Sequence, residues 1–360
     1  MPENLLHLSK REVAFGAGLF LLAFVLVFSV RHYRIHHSEA VISETMQVLM
    51  LHEPASLSEL PALLDSLDIE YEKDHLQWTG RIFNWTELAE GRYEISGGYS
   101  NKNFLMRMVF GYQDPLNVMI PSGTTESSFI QRVSSQMRFQ EDDLEATMKD
   151  STVLSKLGVE EVNLFGRMLP NTYQLYWTDT PEQFLSRMLS EFERAVITPH
   201  SERIGELDKT VDEIVTLASI IEWEANIEDE KPVVSGLYWN RLHQNWRLQA
   251  DPTVNYAIGE RSRLLYSDYR IDHPYNTYRI HGLPPGPITN PAYSSINAVL
   301  YPEEHDYMFM VASPEGGHVF TRTFNEHRQK SREWTTWLRE QRRTRELREA
   351  EASLDAEAAN

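Results

Sequence analysis

Apolar side chains recur at helical spacing in residues 210–225, and this spacing predicts one helix there. Glu222 falls on the same stripe, four residues after Ala218 and seven after Val215. Glu224 comes two residues later and therefore points in another direction. The pattern places a carboxylate in the middle of an apolar helical face.

A carboxylate in such a position is suited to acid catalysis. Loss of hydration disfavours its charged form and raises its pKa, so that the proton is retained near neutral pH. A general acid requires this property. The alternative is a structural role in which Glu222 pairs with a buried arginine, since ion-pair networks also perturb carboxylates.

Residues 13–30 form an uncharged, mostly apolar run that just reaches the length of a membrane-spanning helix. A cleaved signal peptide is the alternative, but the run ends in the sequence RHYR, without a small-residue cleavage site. We therefore expect an uncleaved anchor in the cytoplasmic membrane. Basic residues flank both ends, so charge hardly decides the orientation. The short tail at residues 1–12 favours a cytoplasmic N-terminus and an extracytoplasmic bulk.

The rest of the chain alternates between helical and strand-like patterns. Residues 38–67 are predicted to be helical in part, and residues 70–110, with aromatic residues among glycines, are predicted as short strands, turns and helical pieces. Proline, glycine, asparagine and tyrosine dominate residues 249–302, and a long irregular segment of this kind is usually functional. Further helices are expected at 125–137, 142–157, 181–196, 232–242 and from 326 onwards, and further strands at 116–120, 307–312 and 318–321.

Composition narrows the class of protein. The 360 residues suffice for two modest domains, and 24% charged with 41% hydrophobic residues is ordinary for a folded chain. A formal net charge of -19 argues against a nucleic-acid partner held by phosphate contacts. The chain has no cysteine, which excludes disulfides and thiolate metal sites, and no spacing of histidines and carboxylates suggests a metal. We expect an α+β protein behind an N-terminal transmembrane helix.

A series of motifs follows in a fixed order: LPNTY (169–173), LASIIEWEA (217–225), YWNRL (238–242), RLQADPTVNYAIG (247–259), YNTYRIHGLPPGPITNP (275–291) and YMFMVASPEGGHVFTRTFNEH (307–327). Together they resemble the endolytic murein transglycosylases, the YceG-like family. The resemblance implies a larger mixed α+β catalytic domain at 116–335, followed by a charged C-terminal helix or tail at 336–360.

The segment FNWTELAEGRYEISGGYSNKNFLMRMVFGYQDP (83–115) resembles, less firmly, the LysM-like subdomain that precedes the catalytic domain in this family. Residues 38–115 are therefore predicted as a small α+β LysM-like subdomain. The alternative is a structural spacer without glycan affinity, because aromatic residues among glycines also describe any small α+β core.

The resemblance implies cleavage of the peptidoglycan glycan strand between N-acetylmuramic acid and N-acetylglucosamine, leaving a 1,6-anhydromuramyl end. Glu222 matches the family's catalytic glutamate; it would protonate the glycosidic oxygen and then take the proton of the C6 hydroxyl. The chain departs from the family at Trp223 and Ala225, where lysine and threonine are more usual. No cofactor is implied. The implied partners are peptidoglycan glycan strands, the cytoplasmic membrane and, from this location, cell-wall synthase complexes.

Other residues of the matching motifs are predicted to bind the substrate. Those that are neutral and polar or aromatic suit uncharged sugars, through hydrogen bonds and ring stacking, and ordinary loop packing is the alternative for each. Asp251, which precedes Pro252 and is biased towards an extended conformation, also suits the capping of a loop. His318 also suits the stabilisation of its hairpin, and Glu224 is expected to support Glu222, with direct chemistry as the alternative. The predicted substrate-binding set is Glu224, Asn240, Arg241, Gln249, Asp251, Thr253, Tyr256, Tyr275, Asn276, Tyr278 and His318.

Two other functions fit the same residues. One is a membrane-tethered glycan-binding scaffold of the cell-wall synthesis machinery without catalysis, although a buried carboxylate without a task is costly. The other is a hydrolytic muramidase that cuts the same bond. Mass spectrometry of digested glycan separates the three functions, since they leave anhydro ends, uncut strands or reducing ends.

Overall fold

The N-terminal apolar run forms a long helix, α1, in the computed structural model, which describes residues 9–358. Helix α1 spans Lys10–His36, so it begins before the predicted span of 13–30 and ends after it. Its apolar side chains are exposed, and the helix is long and apolar enough to cross a membrane. Of the predicted tail at 1–12, residues 1–8 lie outside the described part of the chain.

The chain divides into two compact units. The first runs up to Asn117 and includes Gln174–Asp179, and the second contains the rest from Val118 onwards. The mixed α+β class predicted from the sequence is confirmed, whereas the LysM-like assignment of the first unit stays a prediction.

The first unit is built on an antiparallel sheet in which the order of the strands is β3-β1-β5. Its core contains the inward-facing side chains of β5, such as Tyr93 and Ile95, together with Leu64, Leu76 and Phe104 from the helices. The elements are β1 (Val41–Leu51), β2 (Ala55–Ser56), α2 (Leu60–Ser66), β3 (Glu70–Tyr71), α3 (Lys73–Ile82), β4 (Glu87–Leu88), β5 (Gly91–Tyr99) and α4 (Asn101–Val109).

The second unit is mainly helical. Its elements, together with the paired strands β6 and β7, are β6 (Leu116–Ile120), α5 (Glu126–Ser134), α6 (Glu141–Lys149), α7 (Ser151–Leu157), α8 (Glu161–Leu164), β7 (Asn171–Leu175), α9 (Pro181–Phe192), α10 (Thr198–Glu206), α11 (Val211–Glu224), α12 (Lys231–His243), α13 (Asp251–Ile258), α14 (Tyr293–Leu300), β8 (Phe309–Ala312), β9 (His318–Thr321) and α15 (Phe324–Ala358).

Helix α11 lies at the centre of the second unit. Thr210 and Glu213 form a capping box at its start, which fixes where the helix begins. From Ile214 to Ile221 every residue is buried, including Thr216 and Ser219. The helix is therefore enclosed on all sides and does not present one apolar stripe, because α12, α13 and α14 all pack against it.

Several predicted elements differ from the observed ones. Strand β1 (Val41–Leu51) lies in the segment 38–67, where the sequence did not predict a strand. The predicted helix at 142–157 is two helices, because the carboxylate of Asp150 accepts from the backbone N–H groups of Thr152 and Val153 and starts a new helix there. The predicted irregular segment at 249–302 contains α13 and α14.

Asp251 does not adopt the predicted extended conformation, since it is the first residue of α13 and Pro252 occupies the next position. The fixed φ of proline suits a first helical turn, and this preference outweighs the bias of the residue that precedes it.

The close approach of α12 to a neighbouring backbone generates a stability prediction. A Cβ atom at Gly236 would lie 2.2 Å from the carbonyl oxygen of Glu303, whereas one at Gly205, in α10, meets nothing within 4 Å. We expect Gly236→Ala to lower the free energy of unfolding by about 1–3 kcal/mol through overpacking. Gly205→Ala should raise it slightly, since alanine favours a helix by roughly 0.5–1 kcal/mol. Thermal unfolding of both variants measures these changes. A stability of Gly236→Ala equal to that of the wild type would contradict the close packing at Gly236.

Candidate active site

The carboxylate of Glu222 is held at the N-terminus of another helix. Its Oε2 atom accepts a hydrogen bond from the Ser295 hydroxyl at 2.6 Å and another from the Ala292 backbone N–H at 3.2 Å. Ala292 is the N-cap of α14, where unpaired N–H groups and the helix dipole favour an anion. Only 8% of the Glu222 side chain is exposed. Contacts from α14 thus fix the orientation of this carboxylate.

A buried lysine completes the set of donors. The Nζ atom of Lys231, at the start of α12, lies 3.4 Å from Glu222 Oε2. The same ammonium donates to Glu228 at 2.6 Å and to the Ser294 hydroxyl at 2.9 Å. Burial of the lysine is tolerated because it makes these contacts. Glu222 thus pairs with a buried cation, as the structural alternative requires, although that cation is a lysine and not an arginine.

A tight loop covers the other side of the carboxylate. Gly123 has φ +64°, in the left-handed region, and a Cβ there would lie 3.7 Å from Glu222 Cγ. The indole N–H of Trp223 donates to the Gly123 carbonyl at 2.9 Å. Asn290 anchors the loop, since its backbone carbonyl accepts from Gly123 N–H at 3.1 Å and its side-chain N–H donates to Pro121 O at 2.9 Å. The backbone of this loop thus approaches Glu222 closely.

Glu224 lies among different partners from Glu222. Its Oε2 atom is enclosed and has no hydrogen-bond partner among the described residues. Burial raises the pKa of Glu224 to about 7; the negative charge of Asp251 adds to the rise, and the guanidinium of Arg241 opposes it. From the sequence, Glu224 is predicted to support Glu222, with direct chemistry as the alternative, and its role stays a prediction.

Asp251 belongs to the same cluster of polar groups. Its carboxylate accepts from the Tyr278 hydroxyl at 2.6 Å and from the Tyr269 hydroxyl at 3.3 Å. Burial raises the pKa of both phenols, and the charge of Asp251 raises them further, so they stay protonated and donate. Asp251 is exposed, and its two tyrosine partners join α13 to the segment that follows it.

Two of the predicted sugar-binding residues, Thr253 and Asn276, have side chains that bond to the backbone, whereas the side chain of Gln249 is exposed. The buried Thr253 hydroxyl donates to Ala250 O at 2.7 Å, and the buried Asn276 amide donates to Ile271 O at 2.8 Å and to Tyr269 O at 3.2 Å. Gln249 has an exposed side chain, a φ of +49° and a backbone N–H that donates to the Thr277 carbonyl.

Asn240 and Arg241 also make structural contacts. The Asn240 amide donates to the carbonyls of His305 at 2.7 Å and Tyr307 at 3.1 Å. Arg241 is buried and donates to Met308 O at 2.9 Å and to Leu248 O. These donors fasten α12 to the chain that leads into β8, so they are already engaged within the protein.

Tyr256 and Tyr275 line a cavity of about 360 Å³. Their rings lie 4.5 Å apart at a tilt of 39°, and Tyr256 remains 39% exposed. Glu126 and Lys149 also line this cavity. Tyr256 thus offers an exposed aromatic face beside charged groups, whereas Tyr275 is buried, and the sugar-binding role of both tyrosines stays a prediction.

His318 contacts the carboxylate of Glu230, the residue that precedes Lys231. Its Nδ1 atom lies 2.8 Å from Glu230 Oε2, and its backbone N–H donates to Glu230 Oε1 at 2.7 Å. A Cβ on Gly317 would lie 2.1 Å from the same carboxylate, so the hairpin between β8 and β9 closes directly on Glu230. Of the two predicted roles for His318, stabilising contacts of the hairpin are what the structure displays.

The structure thus separates the predicted residues into groups. Glu224, Arg241, Asp251 and Tyr278 share one polar cluster, whereas Tyr256 and Tyr275 share a cavity. The direct partners of Glu222 were not predicted, because Lys231 lies in a different helix and Ser295 follows 73 residues later in the chain. Across residues 9–358, no group of three or more histidines, aspartates or glutamates has the arrangement of a metal site.

Comparison with known proteins identifies the family of this chain. The model of the YceG-like family matches residues 50–333, so the chain belongs to the YceG-like family. It is 28% identical over 302 residues to an "Endolytic murein transglycosylase" of Bacillus subtilis, covering 79% of this chain and 84% of that protein. A protein of the same name from Streptococcus pneumoniae strain D39 is 26% identical over 300 residues, covering 74% of this chain and 54% of that one.

A solved structure is also similar. The crystal structure of a yceG-like protein from Listeria monocytogenes covers 79% of this chain and 98% of its own, with a TM-score of 0.54 and 28% sequence identity.

The raised pKa of Glu224 predicts a pH-dependent stability. A carboxyl with a pKa of about 7 when folded and about 4.5 when unfolded contributes stability that is complete below about pH 4.5 and is lost as the pH rises through about 7. Glu224→Gln cannot ionise. As the pH rises from 5 to 8, the wild type should therefore lose about 2 to 3 kcal/mol of stability that the variant does not lose.

Thermal unfolding of the detergent-solubilised chain at both pH values measures this difference. Glu202→Gln, which alters an exposed carboxylate of α10, is the matched control and should show little difference between the two pH values. If the unfolding midpoint of Glu224→Gln changes with pH in the same way as that of the wild type, Glu224 is not a desolvated acid.

Proposed function

We propose that this chain is an endolytic murein transglycosylase, which cleaves the MurNAc–GlcNAc bond of peptidoglycan glycan strands and leaves 1,6-anhydroMurNAc ends. Glu222 is the general acid and base. One observation carries the proposal: a mostly buried carboxylate has one oxygen, Oε2, held by donors from Ser295, Ala292 and Lys231. These contacts leave the role of reacting atom to Oε1. The relatives' names and the family support the same reaction class.

The reaction needs proton transfers that one carboxylate can perform in sequence. Glu222 first gives its proton to the glycosidic oxygen, which is a poor leaving group otherwise. The ionised carboxylate then accepts the proton of the C6 hydroxyl as that oxygen attacks C1 of the same sugar. Because the nucleophile is intramolecular, no second carboxylate is needed to activate a water molecule. Atoms balance without water, since the proton that is donated is later recovered.

The contacts to Oε2 are suited to this cycle. Ser295 and the Ala292 N–H keep the carboxylate in one orientation while its protonation changes. Lys231 supplies a positive charge beside it, which compensates the negative charge that Glu222 acquires when it releases its proton. These three groups are positioning groups, and Glu222 is the residue that touches the reacting atoms.

The two other functions predict different products. A glycan-binding scaffold would leave strands uncut, and a muramidase would leave reducing ends. The arrangement around Glu222 supports catalysis, since a fixed acid beside a buried lysine is costly to maintain without a task.

We also propose that α1 anchors the chain in the cytoplasmic membrane, with the folded part on the extracytoplasmic side. The length and apolar exposure of α1 support this location, and peptidoglycan is found on that side. Association with cell-wall synthase complexes would follow from proximity to nascent strands.

We expect Glu222→Gln to abolish formation of anhydro ends while the fold is retained. Glutamine keeps the shape and can still accept from Ser295, but it can neither donate an acidic proton nor serve as a base. The loss should be at least ~10²–10⁴-fold, the usual contribution of general acid–base catalysis, and larger if one group performs both transfers. Mass spectrometry of glycan digests quantifies the anhydro ends.

The control is Glu228→Gln, which alters the more exposed carboxylate on the same lysine. The Glu228 side chain is 66% exposed, so this variant keeps Glu222 and should retain most of the activity. Anhydro product from Glu222→Gln at a rate within a few-fold of the wild type would refute the assignment. Equal losses in both variants would indicate that Lys231, and not the acid, is the essential group.

For the membrane location, we expect a reporter fused to the C-terminus to be active only when it requires export. The chain should fractionate with membranes and keep its first helix after processing, because it lacks a cleavage-like site. A mature chain that starts near Arg31 would show instead that this segment is a signal peptide. A reporter that is active only in the cytoplasm would contradict the orientation.

A further inference from the structure

An arginine lies flat over the tryptophan that follows Glu222. The Cζ atom of Arg261 is 4.6 Å from the centre of the Trp223 ring. Trp223 is itself fixed, since it is 7% exposed and its indole N–H donates to the Gly123 carbonyl. The guanidinium therefore lies over a side chain that is bonded to the loop that approaches Glu222.

The chain on both sides of Arg261 is tied to α13. The backbone N–H of Glu260 donates to the Asn255 carbonyl at 3.2 Å. With its amide oriented to satisfy its neighbours, the Asn255 side chain donates to Ser262 O at 3.0 Å and to Glu260 O at 3.2 Å. Arg261 thus projects from a segment whose backbone is held on either side of it.

The contact with the Trp223 ring holds the guanidinium without using its N–H donors. Among residues 9–349, Arg261 makes no ion pair or hydrogen bond, so its five N–H donors remain for a ligand. Other stacked arginines differ: Arg167 lies over Phe192 and also donates twice to Asp212. Arg203 lies over Tyr301 and donates to Leu300 O and Glu206.

We propose that Arg261 binds a carboxylate of the muramyl residue's side group, and so selects murein by its charge. The inference rests on the proposed function. An exposed, stacked guanidinium matches a carboxylate through two parallel N–H donors. The sugar rings of the glycan are neutral. Its carboxylates belong to the peptide stem or, where the peptide has been removed, to the free lactyl group.

The test compares kcat/KM of the full chain in detergent on three glycans. One carries peptide stems with free carboxylates, one is the same material with its carboxylates amidated, and one has been stripped of stems by an amidase. We expect Arg261→Gln to lower kcat/KM about tenfold on carboxylate-bearing glycan, mainly through KM, which corresponds to roughly 1.4 kcal/mol. On amidated glycan the variant and the wild type should be equal.

The arms identify which carboxylate is bound. If Arg261→Gln is impaired only on the stem-bearing glycan, Arg261 binds a carboxylate of the stem. If it is impaired only on the stripped glycan, Arg261 binds the lactyl carboxylate. If it is impaired on both, Arg261 binds either carboxylate. An equal defect on the amidated glycan, or no defect on any glycan, would overturn the proposal. Failure of the proposed function is recognised separately, because the wild type would then produce no anhydro ends from any of them.

Two further variants separate binding from a structural role of the stack. Arg263→Gln removes a positive charge from the same exposed segment, and it should leave all three kcat/KM values within about twofold of the wild type. Arg261→Lys keeps the charge but loses the paired donors, so it should recover only part of the effect. If Arg261 served stability alone, Arg261→Gln would lower the unfolding temperature and slow all three substrates alike.

Discussion

The site depends on the hydrogen bonds that hold the Glu222 carboxylate. Its Oε2 atom accepts them from the start of α14. Ser295 and Ala292 supply two donors from one helix, and Lys231 supplies the third from another. A carboxylate in so enclosed a position is retained only if donors replace the water it has lost. Helices α11, α12 and α14 must therefore keep fixed relative positions for the Glu222 side chain to be placed. The packing of the second unit fixes these positions.

Several features of the second unit hold these helices in place. Helix α11 is buried from Ile214 to Ile221, so it cannot rotate without disturbing the core. His318 of the hairpin holds Glu230, the residue that precedes Lys231, through two contacts to its carboxylate. Asn290 ties the Gly123 loop to the chain that enters α14. The polar cluster of Glu224 and Asp251 lies on another side of α11, where it shapes the cleft wall without touching Glu222 directly.

The sequence predicted the fold class and the position of Glu222 on a buried helix better than it predicted the residues around Glu222. Periodicity located α11 and α12, and capping signals such as Thr210 and Asp150 explain boundaries that periodicity alone blurred. Lys231 and Ser295 were missed because nothing local marks a residue that meets its partner only after the chain has folded. Asn276 and Arg241 were predicted as sugar ligands from their chemistry, yet their donors serve the backbone, since buried polar groups must be paired first.

The central claim is that an internal hydroxyl, and not water, completes the reaction at Glu222. Digestion of glycan strands in water enriched with oxygen-18, followed by mass spectrometry of the new ends, tests it most directly. The account predicts 1,6-anhydro ends, each lighter than a reducing end by one water and free of the heavy isotope. New reducing ends that carry oxygen-18 would contradict it, because they would show that the bound carboxylate directs a water molecule to the same carbon.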